Sequence, residues 1–263
     1  MSVRLGVVFR PDLDPATLQQ TARAVDSAGI DELWLWEDCF LQGGIAAATA
    51  ALAATDNVTV GIGVLPAPLR NVVTTAMEIA SVEAMFPGRI RVGIGHGIQD
   101  WMRQAGAAVA SPLTLLREYV SALARLLAGE AVTVDGRYVR LDDVRLDWPP
   151  AQPLPILVGG TGPKTLRLAG EIAGGVILDS QYSPTGVVTP LGHVAEGRVD
   201  SGGEAFSTVL FVAGAPDAGD AVRYLAAGVD TLVFQPTGAS SEMPAFVAAA
   251  ADAAARIRSA ATR

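Results

Sequence analysis

Three side chains able to take part in catalysis are adjacent in the stretch "LWLWEDCF", residues 33–40. Glu37 and Asp38 could exchange protons, and Cys39, the only cysteine of the chain, could act as a nucleophile. Neighbouring residues of a strand point to opposite faces, so at most one carboxylate is expected to face a site, and the other to be a surface group or a helix cap. Both carboxylates would raise the pKa of Cys39, which favours an inert thiol over a nucleophilic pair with His96.

A second candidate is His96, which follows an apolar run in "RVGIGHGIQD" and stands between Gly95 and Gly97. It could act as an acid or base or donate a hydrogen bond, or it could simply fill a polar niche. The Gly-x-Gly-x-Gly run predicts no dinucleotide-binding turn, because helical sequence is expected only from Pro112 onwards. The glycines would instead allow a ligand or a loop to approach the backbone.

The third candidate is a glycine-rich turn after another apolar run, residues 159–164. Backbone N–H groups at the start of a helix attract anions, so the turn could bind a phosphate, with a lysine as an extra positive charge. An ordinary strand-to-helix turn explains the same pattern equally well, since proline is common at the first helical position. Metal-ligand spacings such as HExxH or CxxC do not occur in the sequence, so we expect no metal site. The residues of the turn are Gly159, Gly160, Thr161, Gly162, Pro163 and Lys164.

Eight apolar runs, each followed by helical sequence, would have to position these candidates. The runs are almost continuously apolar, as expected for parallel strands covered on both faces. The pattern predicts a single-domain (β/α)8 barrel over residues 1–263, with a β-hairpin insertion around residues 131–141 and an open doubly wound sheet as the alternative. Catalytic residues of such barrels lie at the carboxyl ends of the strands, where all three candidates fall. The predicted strands are 3–9, 32–36, 58–65, 89–95, 154–159, 175–179, 206–212 and 230–235; the predicted helices run from 15 to a stop at 29, then 43–55, 72–86, 112–128, 163–173, 184–197, 217–227 and from about 242.

The overall composition limits the possible partners. The chain has 263 residues, of which 19 are basic and 27 acidic, and the resulting net charge of −8 disfavours binding to nucleic acid or to anionic membranes. One cysteine cannot form an internal disulfide, and neither a signal peptide nor an apolar run of about 18 residues is recognisable. These features favour a soluble, cytoplasmic protein.

Four segments of the chain carry a resemblance to a known family: "GIDELWLWED", "VTVGIGVLPAPLRNVVTTAMEIASVEAMFPGRIRVGIGHG", "VGGTGPKTLRLAGEIAGGVILD" and "AAGVDTLVFQPTG". They resemble the luciferase-like flavin and deazaflavin oxidoreductases, a superfamily of (β/α)8 barrels. The third segment is similar to the branch that uses coenzyme F420. The resemblance implies coenzyme F420, with FMN as the alternative, bound in the barrel mouth of a homodimer.

The resemblance also implies where the coenzyme lies. Its ring would rest against Gly63 and Val64, joined by a cis peptide bond, with Gly95 and Gly97 also contributing to its site. Its phosphate tail would meet residues 159–164.

The reaction implied by the resemblance is hydride transfer between C5 of the deazaflavin and a small organic substrate, with Asp38 and His96 at the reacting region. The family often has Asp-His where this chain has Glu37 and Asp38, so a carboxylate replaces a histidine. Some sugar-phosphate dehydrogenases of the family have an acidic residue at the position of Ile98, and that activity is therefore not expected here. An FMNH2-dependent monooxygenase and a catalytically degenerate flavin-binding barrel are the alternative functions.

Overall fold

The computed structural model describes residues 3–199, 205–237 and 243–261. Its strands are β1 (Arg4–Phe9), β2 (Glu32–Leu35), β3 (Thr59–Pro66), β4 (Ile90–Gly95), β5 (Val132–Asp135), β6 (Arg140–Val144), β7 (Ile156–Gly159), β8 (Gly175–Leu178), β9 (Ser207–Ala213) and β10 (Thr231–Gln235). Eight of them are parallel and close into a barrel in the order β1-β10-β9-β8-β7-β4-β3-β2, while β5 and β6 form a separate antiparallel hairpin. The structure confirms the predicted TIM barrel and its hairpin insertion, and it excludes the open sheet.

The helices of the described segments follow the strands in the predicted alternation. The first begins as predicted, because the Asp14 side chain accepts the N–H of Ala16 and caps a 3-10 turn, Pro15–Thr17, that leads into it. Within these segments, no helix combines the length and the apolar character needed to span a bilayer. The helices are α1 (Leu18–Ser27), α2 (Gly44–Ala53), α3 (Val72–Met85), α4 (Gln99–Gln104), α5 (Pro112–Leu127), α6 (Pro163–Ile172), α7 (Val188–Gly197), α8 (Ala218–Ala226) and α9 (Met243–Ala261).

Two helix predictions were wrong. Helical structure was expected only from Pro112, yet α4 precedes it, because Met102 is buried beneath Gly97: a Cβ on Gly97, whose φ is 69°, would lie 2.7 Å from the Met102 sulfur. Helix α7 begins at Val188 rather than at residue 184, because the preceding residues form a turn in which the Ser183 hydroxyl accepts the N–H of Gly186. In both places tertiary or local polar contacts outweigh the sequence periodicity.

Apolar side chains fill the barrel on both sides of its wall. Outside, the helices bury a continuous layer against the strands. Inside, a smaller cluster includes Trp34, whose ring occupies the space beside Gly61; a Cβ there would come within 2.4 Å of it. The members of the interior cluster are Val8, Trp34, Leu157, Ile177, Val209, Phe211 and Val233.

A charged layer closes the interior at the amino ends of the strands. Its centre is Glu32, which is fully buried and accepts hydrogen bonds from Nη1 of Arg91 at 2.8 Å and Nε1 of Trp34 at 2.6 Å, and forms an ion pair with Arg4. Arg91 also donates to the Thr231 hydroxyl. A buried carboxylate is tolerated when it is paired and hydrogen-bonded in this way. We call Arg4, Glu32, Arg91 and Thr231 the basal layer.

Candidate active site

A cavity of about 600 Å³ opens at the carboxyl ends of the barrel strands, where enzymes of this fold bind their ligands. The structure brings most of the predicted site residues together around it. Pro163 and Lys164 are not part of the lining and are exposed beside it. The predicted residues that do line the cavity are Asp38, Gly63, Val64, Gly95, His96, Gly97, Gly159, Gly160, Thr161 and Gly162.

Val64 forms one wall of the cavity and depends on glycines of two neighbouring strands. A Cβ at Gly95 would lie 2.6 Å from one Val64 methyl group, and a Cβ at Gly159 would lie 2.5 Å from the other. Non-bonded carbon atoms cannot approach this closely without displacement, so these glycines make room for the valine. The Gly63–Val64 peptide bond is cis, as predicted.

The turn at residues 159–164 contains glycines with different surroundings. A Cβ at Gly160 would lie 2.5 Å from Cγ2 of Thr165, whereas Gly162, the N-cap residue of α6, has open space around it. Packing thus explains Gly159 and Gly160, while Gly162 meets no such constraint. Lys164, the only lysine of the chain, stands exposed in the first turn of α6.

His96 is largely buried in the cavity wall. Its Nε2 lies 2.9 Å from Oγ1 of Thr165, in the first turn of α6. Burial lowers the pKa of His96 below its ordinary value, so the imidazole is neutral near pH 7. Sequence reasoning missed Thr165, which lies 69 residues away and carries no motif of its own.

The two adjacent carboxylates both line the cavity, contrary to the expectation that only one would face it. The reason is that β2 ends at Leu35, so strand alternation does not apply to them. Glu37 is held in place: its carboxylate accepts Nε of Arg70 at 3.0 Å and Nη2 at 2.6 Å, and it accepts the N–H of Gly44 at the start of α2. Glu37 therefore caps helix α2, a role that was expected for one of the two carboxylates.

Asp38 differs from its neighbour because its carboxylate has no hydrogen-bond partner among the described residues. Burial raises the pKa of Asp38, and the negative charge of Asp12 raises it further. A carboxyl group in this position keeps its proton to a higher pH than an exposed aspartate does, and it can exchange that proton with a ligand in the cavity.

Aromatic side chains that the sequence did not single out complete the walls. Trp36 and Phe211 both line the cavity and meet edge to face, with ring centroids 5.7 Å apart. The indole N–H of Trp36 is buried and has no acceptor among the described residues. Ile98, Trp101 and Ile177 add further apolar surface.

Cys39 lies outside this cavity and lines a shallow depression together with Phe40 and Leu41. Burial raises the pKa of the thiol, and the charges of Glu37 and Asp38 raise it further. The thiol is therefore protonated near neutral pH, and the geometry does not support a nucleophilic pair with His96. In the described residues, no group of three or more His, Cys, Asp or Glu side chains is placed to hold a metal ion.

Fold and site together define a (β/α)8 barrel with a ligand-sized cavity at the face where this fold carries catalysis. The family model "Luciferase-like monooxygenase" matches residues 4–262, and the chain belongs to this family. This confirms the family predicted from the four sequence segments.

Two curated relatives and one solved structure show how the chain relates to characterised proteins. It is 28% identical over 197 residues to the 5,10-methylenetetrahydromethanopterin reductase of Methanolobus tindarius, covering 75% of this chain and 60% of the relative. It is 32% identical over 188 residues to the F420-dependent glucose-6-phosphate dehydrogenase of Nakamurella multipartita, covering 65% of this chain and 54% of the relative. The chain therefore spans between half and two thirds of the length of these two relatives.

The solved structure is an F420-dependent secondary alcohol dehydrogenase in complex with an F420–acetone adduct. It superimposes with a TM-score of 0.85 at 16% identity, covering 98% of this chain and 99% of that one. At this identity the likeness concerns the fold.

Proposed function

We propose that the chain is an F420-dependent oxidoreductase that transfers a hydride between C5 of the deazaflavin and a small organic substrate. The observation that carries the proposal is the wall formed by Val64 on its glycines, which lines the cavity together with the aromatic pair Trp36 and Phe211, in a member of this family. A largely apolar cavity with few polar groups suits a flat heterocycle. The names of the relatives support F420 as the coenzyme.

The residues present fit such a coenzyme. Val64 and the backbone of Gly63 would support the ring, and the buried Trp36 N–H is a donor that a carbonyl or ring nitrogen of the coenzyme could satisfy. When bound, the deazaflavin supplies a carbon that can accept or donate a hydride. The neutral His96 and Asp38, whose pKa is raised by burial, would then orient the substrate and exchange a proton with its oxygen or nitrogen.

The start of α6 would hold the phosphate tail. Thr161 and Gly162 line the cavity, the helix dipole favours an anion at this end, and Lys164 adds a positive charge two residues further on. We expect Lys164→Ala to weaken binding of F420 several-fold and to leave binding of the tail-less deazaflavin chromophore unchanged. Equal weakening of both ligands would show that Lys164 does not act on the tail.

The direct test is a titration of the purified protein with F420, followed by the fluorescence of the deazaflavin. Micromolar binding of F420 is expected, with FMN binding more weakly. Micromolar affinity for FMN together with no detectable F420 binding would overturn the proposal.

The family description favours one alternative, an FMNH2-dependent monooxygenase. Supplying reduced FMN, oxygen and candidate substrates would give an oxygenated product if this alternative holds. A catalytically degenerate barrel predicts instead that Asp38→Ala and His96→Ala leave any measured turnover unchanged.

We also propose a homodimer, which the resemblance to the family supports, and a cytoplasmic location, which the bulk sequence features favour. Sedimentation velocity of the purified chain measures the oligomeric state directly, and a monomer at micromolar concentration would contradict this part of the proposal.

A further inference from the structure

The charged side chains that line the cavity are all acidic among the residues the structure describes. They are Glu37, Asp38 and Asp179, and no lysine or arginine accompanies them. Residues 200–204 read "DSGGE" and residues 238–242 read "GASSE", so neither of these segments contains a lysine or an arginine. Arg263 is the only basic residue not described.

The three carboxylates differ in whether a cation compensates them. Arg70 pairs with Glu37, so that charge is neutralised within the protein. Asp38 and Asp179 have no ion pair among the described residues; Asp179 accepts only from the backbone N–H and hydroxyl of Ser180. His96, the remaining titratable group of the lining, is neutral near pH 7.

Nearby arginines are already engaged with surface carboxylates. Arg10, after β1, binds Asp12 through two hydrogen bonds, and Arg103 of α4 pairs with Asp100. The single lysine stands at the rim, by the start of α6, where the coenzyme tail is expected. The interior of the cavity therefore carries uncompensated negative charge, and positive charge is confined to its edge.

We propose that this enzyme accepts uncharged or cationic substrates and rejects substrates that carry a phosphate or carboxylate group, with Asp38 as the main residue that sets this preference. The inference rests on the proposed function, since it concerns the substrate that would lie beside the coenzyme. An anionic substrate would lose its hydration in a site that offers no cation and two like charges. A hydroxyl, carbonyl or ammonium group finds partners in Asp38 and His96.

Three probes that differ only in one substituent test the preference: cyclohexanol, cyclohexylammonium and cyclohexanecarboxylate. Their dissociation constants are measured on the F420-loaded protein from the change in deazaflavin fluorescence, at about pH 8 in order to favour the ionised form of Asp38. The carboxylate is expected to bind at least about tenfold more weakly than the alcohol, and the ammonium at least as tightly.

Asp38→Asn should reduce the ratio of the carboxylate's dissociation constant to that of the alcohol several-fold, and it should weaken binding of the ammonium. Asp142→Asn provides the matched control, because Asp142 is exposed on β6, away from the cavity, and undergoes the same change of charge. The control should leave all three dissociation constants unchanged. If the carboxylate binds as tightly as the alcohol, or if Asp38→Asn and the control behave alike, the proposal is wrong.

Failure of the proposed function would be seen separately. If F420 does not bind, the proposed function fails. Binding of the same three probes is then measured on the protein alone through its tryptophan fluorescence, since Trp36 and Trp101 line the cavity. The order of the three dissociation constants in that experiment tests the charge preference in the absence of the coenzyme.

Discussion

Replacing Gly159 by alanine tests whether the glycines of the site serve packing or anion binding. The new Cβ would lie 2.5 Å from a Val64 methyl group and 3.8 Å from the Val64 Cβ. Ordinary carbon contacts begin near 3.5 Å, so the overlap is about 1 Å. Val64 cannot easily rotate away, because its side chain is β-branched and also contacts Gly93 and Gly95. Overpacking of this kind costs about 1–3 kcal/mol.

The assay is urea denaturation, supported by thermal melting. A loss of about 1–3 kcal/mol lowers the melting temperature of a chain of this size by roughly 2–10 °C. The matched control is Gly162→Ala in the same turn, where φ is −80° and nothing lies within 4 Å of the added Cβ. It should change the free energy of unfolding by less than about 0.5 kcal/mol.

Val64→Ala should partly rescue the Gly159→Ala variant, because it removes the methyl groups that overlap with the new Cβ. An unfolding midpoint of Gly159→Ala equal to that of the wild type would refute the packing explanation. If both glycine variants weaken F420 binding equally without loss of stability, the turn acts as a phosphate cradle only.

Three further predictions concern the ionisable groups around the cavity. Burial lowers the pKa of His96, so the unfolded chain binds a proton at this residue more readily than the native chain does. The free energy of unfolding should therefore fall as the pH drops below about 6.5, the ordinary pKa of histidine. His96→Gln should remove this part of the pH dependence. Glu37→Gln should lower the free energy of unfolding by about 2 kcal/mol in urea denaturation, since it breaks a largely buried ion pair with Arg70 and weakens the cap of α2. Iodoacetamide should alkylate Cys39 more slowly than free cysteine at about pH 8, as followed by intact mass, because its pKa is raised.

The Glu37 prediction has a matched control at a second glutamate. Glu78→Gln removes a more exposed partner of Arg70 and should cost less than Glu37→Gln. Equal losses for the two glutamates, a pH profile unaffected by His96→Gln, or a Cys39 that reacts as fast as free cysteine would each contradict the corresponding expectation.

The barrel could be predicted from the sequence because its strands and most of its helices have signals in the local sequence. Short apolar runs, the Asp14 cap and the glycine after α1 are all features of a few consecutive residues, and their eightfold repetition defines the closed sheet. Helix α4 escaped prediction because it is six residues long and depends on the burial of Met102.

The predicted fold was enough to show that the candidate residues cluster at one end of the barrel, but it did not identify their hydrogen-bond partners. Arg70 lies 33 residues from Glu37, and Thr165 lies 69 residues from His96, so no local pattern could reveal either pair. The two carboxylates were misplaced because the prediction assumed alternation beyond the end of β2. The glycines were recognised as important, and only the positions of their neighbours show that Val64 is the reason for two of them.

The basal layer has a kinetic consequence for any reaction in the cavity. Glu32 and Arg91 are joined across the amino end, and the Arg91 guanidinium lies 5.5 Å from the centroid of the Trp34 ring, so these side chains fill the barrel on the side away from the cavity mouth. Two reactants that share one entrance do not exchange independently: the one seated deeper leaves after the one nearer the rim. For a coenzyme and a substrate that both bind in the cavity, three side chains outside its lining would therefore influence the order of release.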